Sequence, residues 1–329
     1  MLVPNNSKLK LGILFFIMTI VLSCGGDSQE KTEGLKLEDV DAMAYYYRAL
    51  RYQQEGKYDL AIKDYDKVIE RKADCAEAYN NRGSSYDAKG LYNLAIMDYS
   101  KAIELKPAVA NHYYNRGLTY GHKGMLTSAI EDYTKAIELS GDYVNAYINR
   151  GLMYTYLEQH DQALKDFTKA IELKPNDADI YFKRGAVYSC KGQIELALKD
   201  YTKAIDLKPD FVEAYYNRGT AYTAQGEYDS AEKDFTKSIE INPGDASAYC
   251  GRGLVYRNMQ RYERAIQDYT KAIELNPKFA LAYNYRGDVY YKLGKEDLAK
   301  PDWGKAYALN HDFPTDPIAR KLLGLPEKK

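Results

Sequence analysis

The chain has 329 residues, a formal net charge of −1 and 28% charged side chains. It contains no long basic or acidic run, which excludes the charged arm expected of a nucleic-acid-binding protein. Its 34 tyrosines beside a single tryptophan are unusual, and they indicate a repeated sequence in which tyrosine recurs at fixed positions.

The N-terminus has the pattern of an export signal. Two lysines precede an apolar run, residues 11–22, and a small residue, Ser23, stands directly before Cys24. The run is shorter than the roughly 20 apolar residues of a transmembrane helix, so a signal peptide fits better. The junction resembles the lipobox of a bacterial lipoprotein, which implies removal of residues 1–23 and attachment of lipid (palmitate) at Cys24. An ordinary secretory signal and an uncleaved anchor are the alternatives.

Residues 24–41 would then comprise the lipidated cysteine and a flexible tether, because this stretch is rich in Gly, Glu, Lys and Asp. More than one acyl chain gives stable membrane anchoring. We therefore expect a bacterial envelope protein that is lipid-anchored and faces the periplasm or the cell surface. The remaining cysteines, Cys75, Cys190 and Cys250, are too scattered to predict a disulfide framework.

Residues 42–313 consist of eight consecutive 34-residue units without an insertion or deletion. Repeats of this length predict a solenoid in which each unit packs against its neighbours. Within a unit, numbered 1 to 34, tyrosine occupies positions 4 and 11 in every copy and glycine occupies position 8 in seven. This i, i+4, i+7 spacing predicts the packing stripe of a first helix, helix A.

A second helix, helix B, is predicted by alanine at position 20, an aromatic residue at position 24 and a small residue at position 27. Glycine at position 15 suits the left-handed end of helix A, and proline at position 32 ends helix B. We expect the glycine at position 8 to face the alanines of helix B, with the aromatic rings filling the space between helix pairs.

The unit that begins at Ala178 carries the pattern at Tyr181, Gly185, Tyr188, Ala197, Tyr201, Ala204 and Pro209. This pattern resembles the tetratricopeptide repeat (TPR). The resemblance implies an all-α, right-handed α-solenoid of eight helix pairs. Residues 314–329 form a C-terminal capping segment, in which Pro317 to Leu323 predicts a short helix. Ile318 and Leu322 share the face that would cover the last repeat, with Leu323 beside them.

Two charged columns have alternative interpretations. Arginine at position 7 and aspartate at position 23 occur in all eight repeats. They form either a ladder that grips a ligand or a structural ion pair within each repeat, and their strict invariance favours the structural pair. The four histidines lack the i, i+4 spacing of a helical zinc site, and the sequence has no phosphate loop or nucleophile elbow. We therefore expect no enzyme, cofactor or metal site.

The remaining face of helix A varies between repeats. Positions 2, 5, 6, 9, 12 and 13 form what we call the groove face, because these positions line the concave groove of tetratricopeptide proteins. Position 6 carries four asparagines: Asn81, Asn115, Asn149 and Asn217. This column resembles the asparagine ladder of the tetratricopeptide superhelix in O-GlcNAc transferase, where such side chains hold a peptide backbone; the alternative is that they only face water. Aromatic residues join the face: Tyr46, Tyr114, Tyr156, Phe182, Tyr216 and Tyr291.

These features predict a non-catalytic, membrane-anchored scaffold that binds an extended peptide or a partner protein on the groove face. The family's clamp for acidic C-termini, Lys at position 5 with Asn at position 9, is missing. A glycan-binding component of a polysaccharide export or cell-wall machinery is the alternative, since exposed aromatic rings would stack on sugars.

Overall fold

The computed structural model describes residues 37–314 and 316–325, which contain seventeen α-helices and no strand. The helices are α1 (Leu37–Gln54), α2 (Tyr58–Arg71), α3 (Ala76–Ala88), α4 (Tyr92–Leu105), α5 (Ala110–His122), α6 (Leu126–Leu139), α7 (Val144–Tyr156), α8 (His160–Leu173), α9 (Ala178–Cys190), α10 (Ile194–Leu207), α11 (Val212–Gln225), α12 (Tyr228–Ile241), α13 (Ala246–Asn258), α14 (Tyr262–Leu275), α15 (Ala280–Lys292), α16 (Glu296–Leu309) and α17 (Pro317–Leu322). The all-α prediction is confirmed. Helices α1 to α16 are the A and B helices of the eight repeats, in chain order.

The chain divides into two compact units, residues 1–157 and residues 158–329. In the first unit, α1 packs on α2, α3 on α4 and α5 on α6, and consecutive pairs contact each other up to α7. In the second unit the same arrangement runs from α8 to α16, and α17 packs on α16. The predicted signal peptide, Cys24 and most of the tether lie outside the described residues. None of the described helices has the length and apolar character needed to cross a membrane.

The core of each repeat is the aromatic ring at position 24 of helix B. These rings are buried in all eight repeats: Tyr65, Tyr99, Tyr133, Phe167, Tyr201, Phe235, Tyr269 and Trp303. The position-8 glycine makes room for the ring, since a Cβ at Gly117 would lie 2.8 Å from Tyr133 Cε1 and one at Gly185 would lie 2.9 Å from Tyr201 Cε1. The position-20 alanine also lies close to this glycine in the second repeat, where a Cβ at Gly83 would lie 3.2 Å from the backbone oxygen of Ala95 and 3.1 Å from Tyr99 Cε1. The glycine therefore faces both the ring and the backbone of helix B.

The invariant arginine and aspartate form structural ion pairs. Arg218 Nε and Nη2 donate to the two carboxylate oxygens of Asp234 at 2.7 and 2.8 Å, and Nη1 donates to Thr202 Oγ1 of the preceding repeat at 3.1 Å. The rings of Tyr215 and Tyr222, at positions 4 and 11, lie 5.7 and 5.9 Å from this guanidinium. The same two-point pair is formed by Arg48, Arg82, Arg116, Arg184, Arg252 and Arg286 with the position-23 aspartate of their own repeats. The structural interpretation is confirmed.

The tyrosines at positions 4 and 11 thus lie beside an arginine, and all but Tyr256, which is buried, are only half-buried. Burial also acts on the ion pairs themselves. It raises the pKa of Asp98 above its ordinary value even though Arg82 donates two hydrogen bonds to that carboxylate. In the first repeat the side chain of Arg48 is 43% exposed, whereas those of Arg82 and Arg116 are 18% and 20% exposed.

The turn between helices A and B needs a left-handed residue. Glycine supplies it in six repeats, with φ between 70° and 79°, at Gly56, Gly90, Gly124, Gly192, Gly226 and Gly294. In the other two repeats the same conformation falls on Glu158 (φ 57°) and Gln260 (φ 59°). A side chain with a Cβ is disfavoured there, so these two turns are locally strained.

The short C-terminal helix α17 begins at Asp316, whose carboxylate accepts hydrogen bonds from the backbone N–H groups of Ile318 and Ala319 at 2.7 and 3.3 Å. Its Ala319 packs against Trp303, together with Leu322 and Leu323. Ile318 is 49% exposed, so the predicted Ile318–Leu322 face is wrong by one residue. Ala319 is the residue that can approach the large indole closely.

Candidate functional site

Three asparagines of the position-6 column bind side chains of the preceding repeat. Asn81 Nδ2 donates to the hydroxyl of Tyr46 at 2.9 Å, and Asn149 Nδ2 donates to the hydroxyl of Tyr114 at 3.0 Å. The acceptor lies at position 5, thirty-five residues earlier in both cases. Asn115 Nδ2 makes the equivalent bond to Asn80 Oδ1 at 3.0 Å. These three amides hold neighbouring helices A together.

The internal bonds occupy much of the donor and acceptor capacity of these side chains. Asn80 Nδ2 donates in turn to Asn81 Oδ1 at 3.1 Å, so Asn81 is engaged through both its nitrogen and its oxygen. An asparagine amide offers two N–H donors and one carbonyl acceptor. A ligand at Asn81 would have to share or displace the internal bonds.

Asn217 differs from the other three. The residue thirty-five positions earlier is Phe182, which has no hydroxyl group to accept a hydrogen bond. The Asn217 side chain is half-buried and has no hydrogen-bond partner within the described part of the chain. Lys183, at position 6 of the preceding repeat, is also half-buried, and it forms no ion pair with a described residue. The second unit therefore presents an uncommitted amide and an uncommitted cation in adjacent repeats of one column.

The predicted aromatic residues at position 5 are half-buried. Each lies against the position-24 ring of its own repeat, with ring centroids 5.6 to 5.9 Å apart, in the pairs Tyr46–Tyr65, Tyr114–Tyr133, Phe182–Tyr201 and Tyr216–Phe235. Burial raises the pKa of the Tyr46, Tyr114 and Tyr216 hydroxyls. These side chains are packing residues as well as members of the groove face, and their role in binding stays a prediction.

The other two predicted aromatic residues are more open. Tyr156, at position 13, is 71% exposed. Tyr291, at position 12, lies 5.4 Å from Trp303 between ring centroids and keeps part of its surface accessible. Tyr156 belongs to the first unit and Tyr291 to the second.

Position 12 supplies contacts between repeats that the sequence analysis missed. Gln53 accepts a hydrogen bond from the hydroxyl of Tyr65 at 2.9 Å and donates to Ser84 Oγ at 3.1 Å. In the next repeat, Asp87 accepts from Thr119 Oγ1 at 2.7 Å. The polar residues at position 12 vary between repeats, and this variation indicates a position that is not part of the common packing. A single sequence does not reveal which residue of the next repeat each of them contacts.

The position-12 residue of the seventh repeat is a cation. Arg257 lies over the ring of Tyr285 at 4.7 Å and approaches Asp288 with an Nη1–Oδ2 distance of 3.4 Å. Asp288 also accepts a hydrogen bond from Trp303 Nε1 at 2.9 Å, and burial raises the pKa of its carboxylate. This end of the groove face combines charged and aromatic groups.

The described residues contain no group of three or more His, Cys, Asp or Glu side chains arranged to hold a metal ion. Cys75, Cys190 and Cys250 are free thiols, and burial raises the pKa of Cys250 to about 12, which keeps it protonated and unreactive. Burial lowers the pKa of His112, so this histidine is neutral near pH 7.

Family models match the chain along most of the repeat array. The model described as tetratricopeptide repeat matches residues 76–108, 110–143, 144–177, 212–245 and 246–279, just over half of the chain. The chain belongs to the tetratricopeptide repeat family. Related models of the same family match residues 42–75, 190–226, 167–199 and 268–300. A comparison with curated proteins gave no match.

Solved tetratricopeptide structures resemble this one. YrrB, described as a TPR protein with an unusual peptide-binding site, is 29% identical with a TM-score of 0.50; the alignment covers 56% of this chain and 95% of YrrB. A tetratricopeptide repeat protein from Parabacteroides merdae is 23% identical with a TM-score of 0.58, over 76% of this chain and 97% of the other. PilF of Pseudomonas aeruginosa is 17% identical with a TM-score of 0.56, over 65% and 96%. The last two similarities concern the fold alone.

Proposed function

We propose that this tetratricopeptide repeat protein is a non-catalytic scaffold that binds an extended peptide segment of a partner protein on the groove face. The observation that carries the proposal is Asn217. Its half-buried amide lies on the groove face without an internal partner, whereas Asn81, Asn115 and Asn149 bind neighbouring side chains. An amide can donate to a peptide carbonyl and accept from a peptide N–H, whatever the side chains of that peptide are.

The peptide-binding site named for YrrB supports this choice of ligand class, because the two proteins share the fold and more than a quarter of the aligned residues. The uncommitted ammonium of Lys183, one repeat before Asn217, would favour a peptide with an acidic side chain nearby. Such charge pairs contribute mainly to specificity and association rate.

The test compares two asparagines at the same position of different repeats. Native protein is crosslinked in its own cells, and the captured partners are identified by mass spectrometry. We expect Asn217→Ala to reduce partner capture about tenfold, while Asn149→Ala leaves capture unchanged and only loosens its own helix contact. Equal capture by Asn217→Ala and the wild type would contradict the proposed site.

We further propose that the scaffold is attached to a bacterial envelope membrane through lipid at Cys24. The observation that motivates this is the N-terminal sequence, in which a short apolar run and Ser23 precede the cysteine. In cell fractionation, Cys24→Ala should release the protein from the membrane fraction. It should also abolish the incorporation of radiolabelled palmitate. Cys190→Ala, a change at an exposed cysteine, is the matched control.

The geometry favours a protein ligand over a glycan. Stacking on a sugar needs an open ring face, but the position-5 rings Tyr114 and Phe182 each contact two other rings, those at positions 24 and 34 of their own repeats. Within the first unit, the widely exposed Tyr156 lacks a second open ring on the groove face of its own repeat.

A further inference from the structure

A cavity of about 310 Å³ opens in the first repeat, between helix α1 and the C-terminal part of helix α2 with the segment that follows it. Its walls include Tyr46 and Tyr47 from α1, Val68 from α2, and Lys72 and Cys75 from the segment that follows α2. The two tyrosine rings meet edge to face with centroids 5.9 Å apart. The volume is at the lower end of the range for ligand pockets, roughly 300–1,000 Å³, and is large enough to admit an aromatic ring.

The fifth repeat contains a ring at the corresponding place. There Phe211, at position 34, packs against Phe182, at position 5, with ring centroids 4.9 Å apart and ring planes tilted by 45°. The ammonium of Lys208, at position 31, lies 4.5 Å from the centre of the Phe211 ring. Phe211 therefore contacts both an aromatic ring and a cation, and it is 5% exposed.

The third repeat has the same contact between aromatic rings at positions 5 and 34. Tyr143, at position 34, packs against Tyr114, at position 5, with ring centroids 4.8 Å apart and ring planes tilted by 34°. Position 31 is Ser140 in this repeat, so the ring contact forms without a lysine at that position. Two independent repeats thus show that an aromatic residue at position 5 accepts a second ring in this space.

The first repeat keeps both flanking groups but lacks the ring. Position 5 is Tyr46 and position 31 is Lys72, as in the fifth repeat, whereas position 34 is Cys75. A thiol is much smaller than a phenyl ring, and Cys75 borders the cavity without filling it. Because Tyr46, Lys72 and Cys75 hold the repeat positions of Phe182, Lys208 and Phe211, the cavity corresponds by repeat position to the place of the Phe211 ring.

We propose that this cavity binds an aromatic side chain of a partner polypeptide, which packs against Tyr46 and contacts Lys72. The ring would complete the arrangement that Phe211 completes in the fifth repeat. A cation over a ring attracts indole most strongly, so tryptophan is the preferred anchor, ahead of tyrosine and phenylalanine. Tyr47, which is 51% exposed, borders the entrance and extends the contact along the bound chain.

The proposal rests on the proposed scaffold function and specifies one anchor of the bound segment. The occupant is a peptide side chain because the templates on this chain are themselves side chains of a polypeptide. A buried aromatic anchor in a pocket is a frequent source of binding energy at protein interfaces. The rest of the segment would continue along the groove face of the first unit.

The experiment uses the full-length protein and two small probes, N-acetyl-tryptophanamide and N-acetyl-leucinamide, in saturation-transfer NMR. We expect the indole protons to receive saturation at least five times more strongly than the leucine methyl groups. Cys75→Phe supplies the missing ring from the chain itself. It should abolish the indole signal and raise the melting temperature by a few degrees. Cys190→Phe, at an exposed cysteine, should do neither.

Two further variants keep the test decisive if Cys75→Phe does not fold. Tyr46→Leu should weaken the indole signal without opening a new site. Phe211→Cys should create a second site between Phe182 and Lys208 and increase the signal.

An indole signal that survives both Cys75→Phe and Tyr46→Leu would overturn the proposal. A melting temperature unchanged in Cys75→Phe, together with no probe binding to the wild type, would mean that the space is already filled by this chain or by a second copy, and would also overturn it. Partner capture through Asn217 is measured separately, so failure of the aromatic pocket leaves the test of the scaffold function intact.

Discussion

The two units of the chain share one skeleton but differ in how position 5 meets position 6 of the next repeat. In the first unit, Tyr46, Asn80 and Tyr114 accept hydrogen bonds from Asn81, Asn115 and Asn149. In the second unit, Phe182 has no oxygen to accept a hydrogen bond from Asn217. The residue thirty-five positions after Tyr216 is Gly251, which has no side chain to donate a hydrogen bond. The skeleton is set by packing, which every repeat needs, whereas the groove face is free to diverge.

The largest expected effect tests the shared skeleton. Tyr133→Ala in the first unit and Tyr201→Ala in the second each remove a buried ring, so each should cost about 3–5 kcal/mol of unfolding free energy. Urea unfolding measures this cost. Tyr156→Ala, which removes an exposed ring, is the control and should stay within about 0.5 kcal/mol of the wild type. Very different losses of unfolding free energy for Tyr133→Ala and Tyr201→Ala would contradict the conclusion that the two units share the same core packing.

The ion pairs should behave alike in both units. Asp132→Asn and Asp234→Asn each replace a buried carboxylate that accepts two hydrogen bonds from an arginine, and each should cost about 2–3 kcal/mol. Asp64→Asn should cost less, because its partner Arg48 is more exposed than Arg116 and Arg218. Thermal unfolding monitored by circular dichroism ranks the three variants. A cost for Asp64→Asn that equals the other two would contradict the role of burial.

Exchanging one hydroxyl should convert each unit to the chemistry of the other. Phe182→Tyr gives Asn217 a phenolic oxygen to donate to, and it should stabilise the protein by about 1 kcal/mol while reducing partner capture. Tyr114→Phe removes the acceptor of Asn149 and should destabilise by about the same amount. Unfolding experiments and the crosslinking assay are run on both variants. If Phe182→Tyr lowers stability, the geometry inferred for Asn217 is incorrect.

The smallest expected effect concerns the strained turns. Gln260→Gly relieves a residue with a Cβ at φ 59° and should stabilise by about 0.5–1 kcal/mol. Gly226→Ala places a Cβ at φ 79° in the equivalent turn and should destabilise by about 1–2 kcal/mol. Differential scanning calorimetry resolves both shifts. The two substitutions should change the stability in opposite directions. A change in the same direction would contradict the assignment of backbone strain to this position.

The sequence predicted which residues belong to the candidate site, but not which side chains they contact. The positions of helix A that vary between repeats indicated the groove face, and Asn217 and Tyr46 lie at such positions. The sequence did not reveal that Asn81 is occupied by Tyr46 or that Cys75 leaves a space, because both facts depend on residues brought together from adjacent repeats. Gln53 and Asp87 were missed for the same reason.

The sequence by itself determined the period, the helix pairs, the all-α class and the family, because a 34-residue repeat expresses local helix spacing and turn chemistry eight times over. It also identified the arginine and aspartate columns as architecture through their invariance. Only the tertiary structure decided which side chains of the groove face are free. Asn149 and Asn217 occupy the same position and have the same side chain, yet one is bonded and one is not. The difference arises from a single hydroxyl thirty-five residues away, and packing alone brings that group into contact.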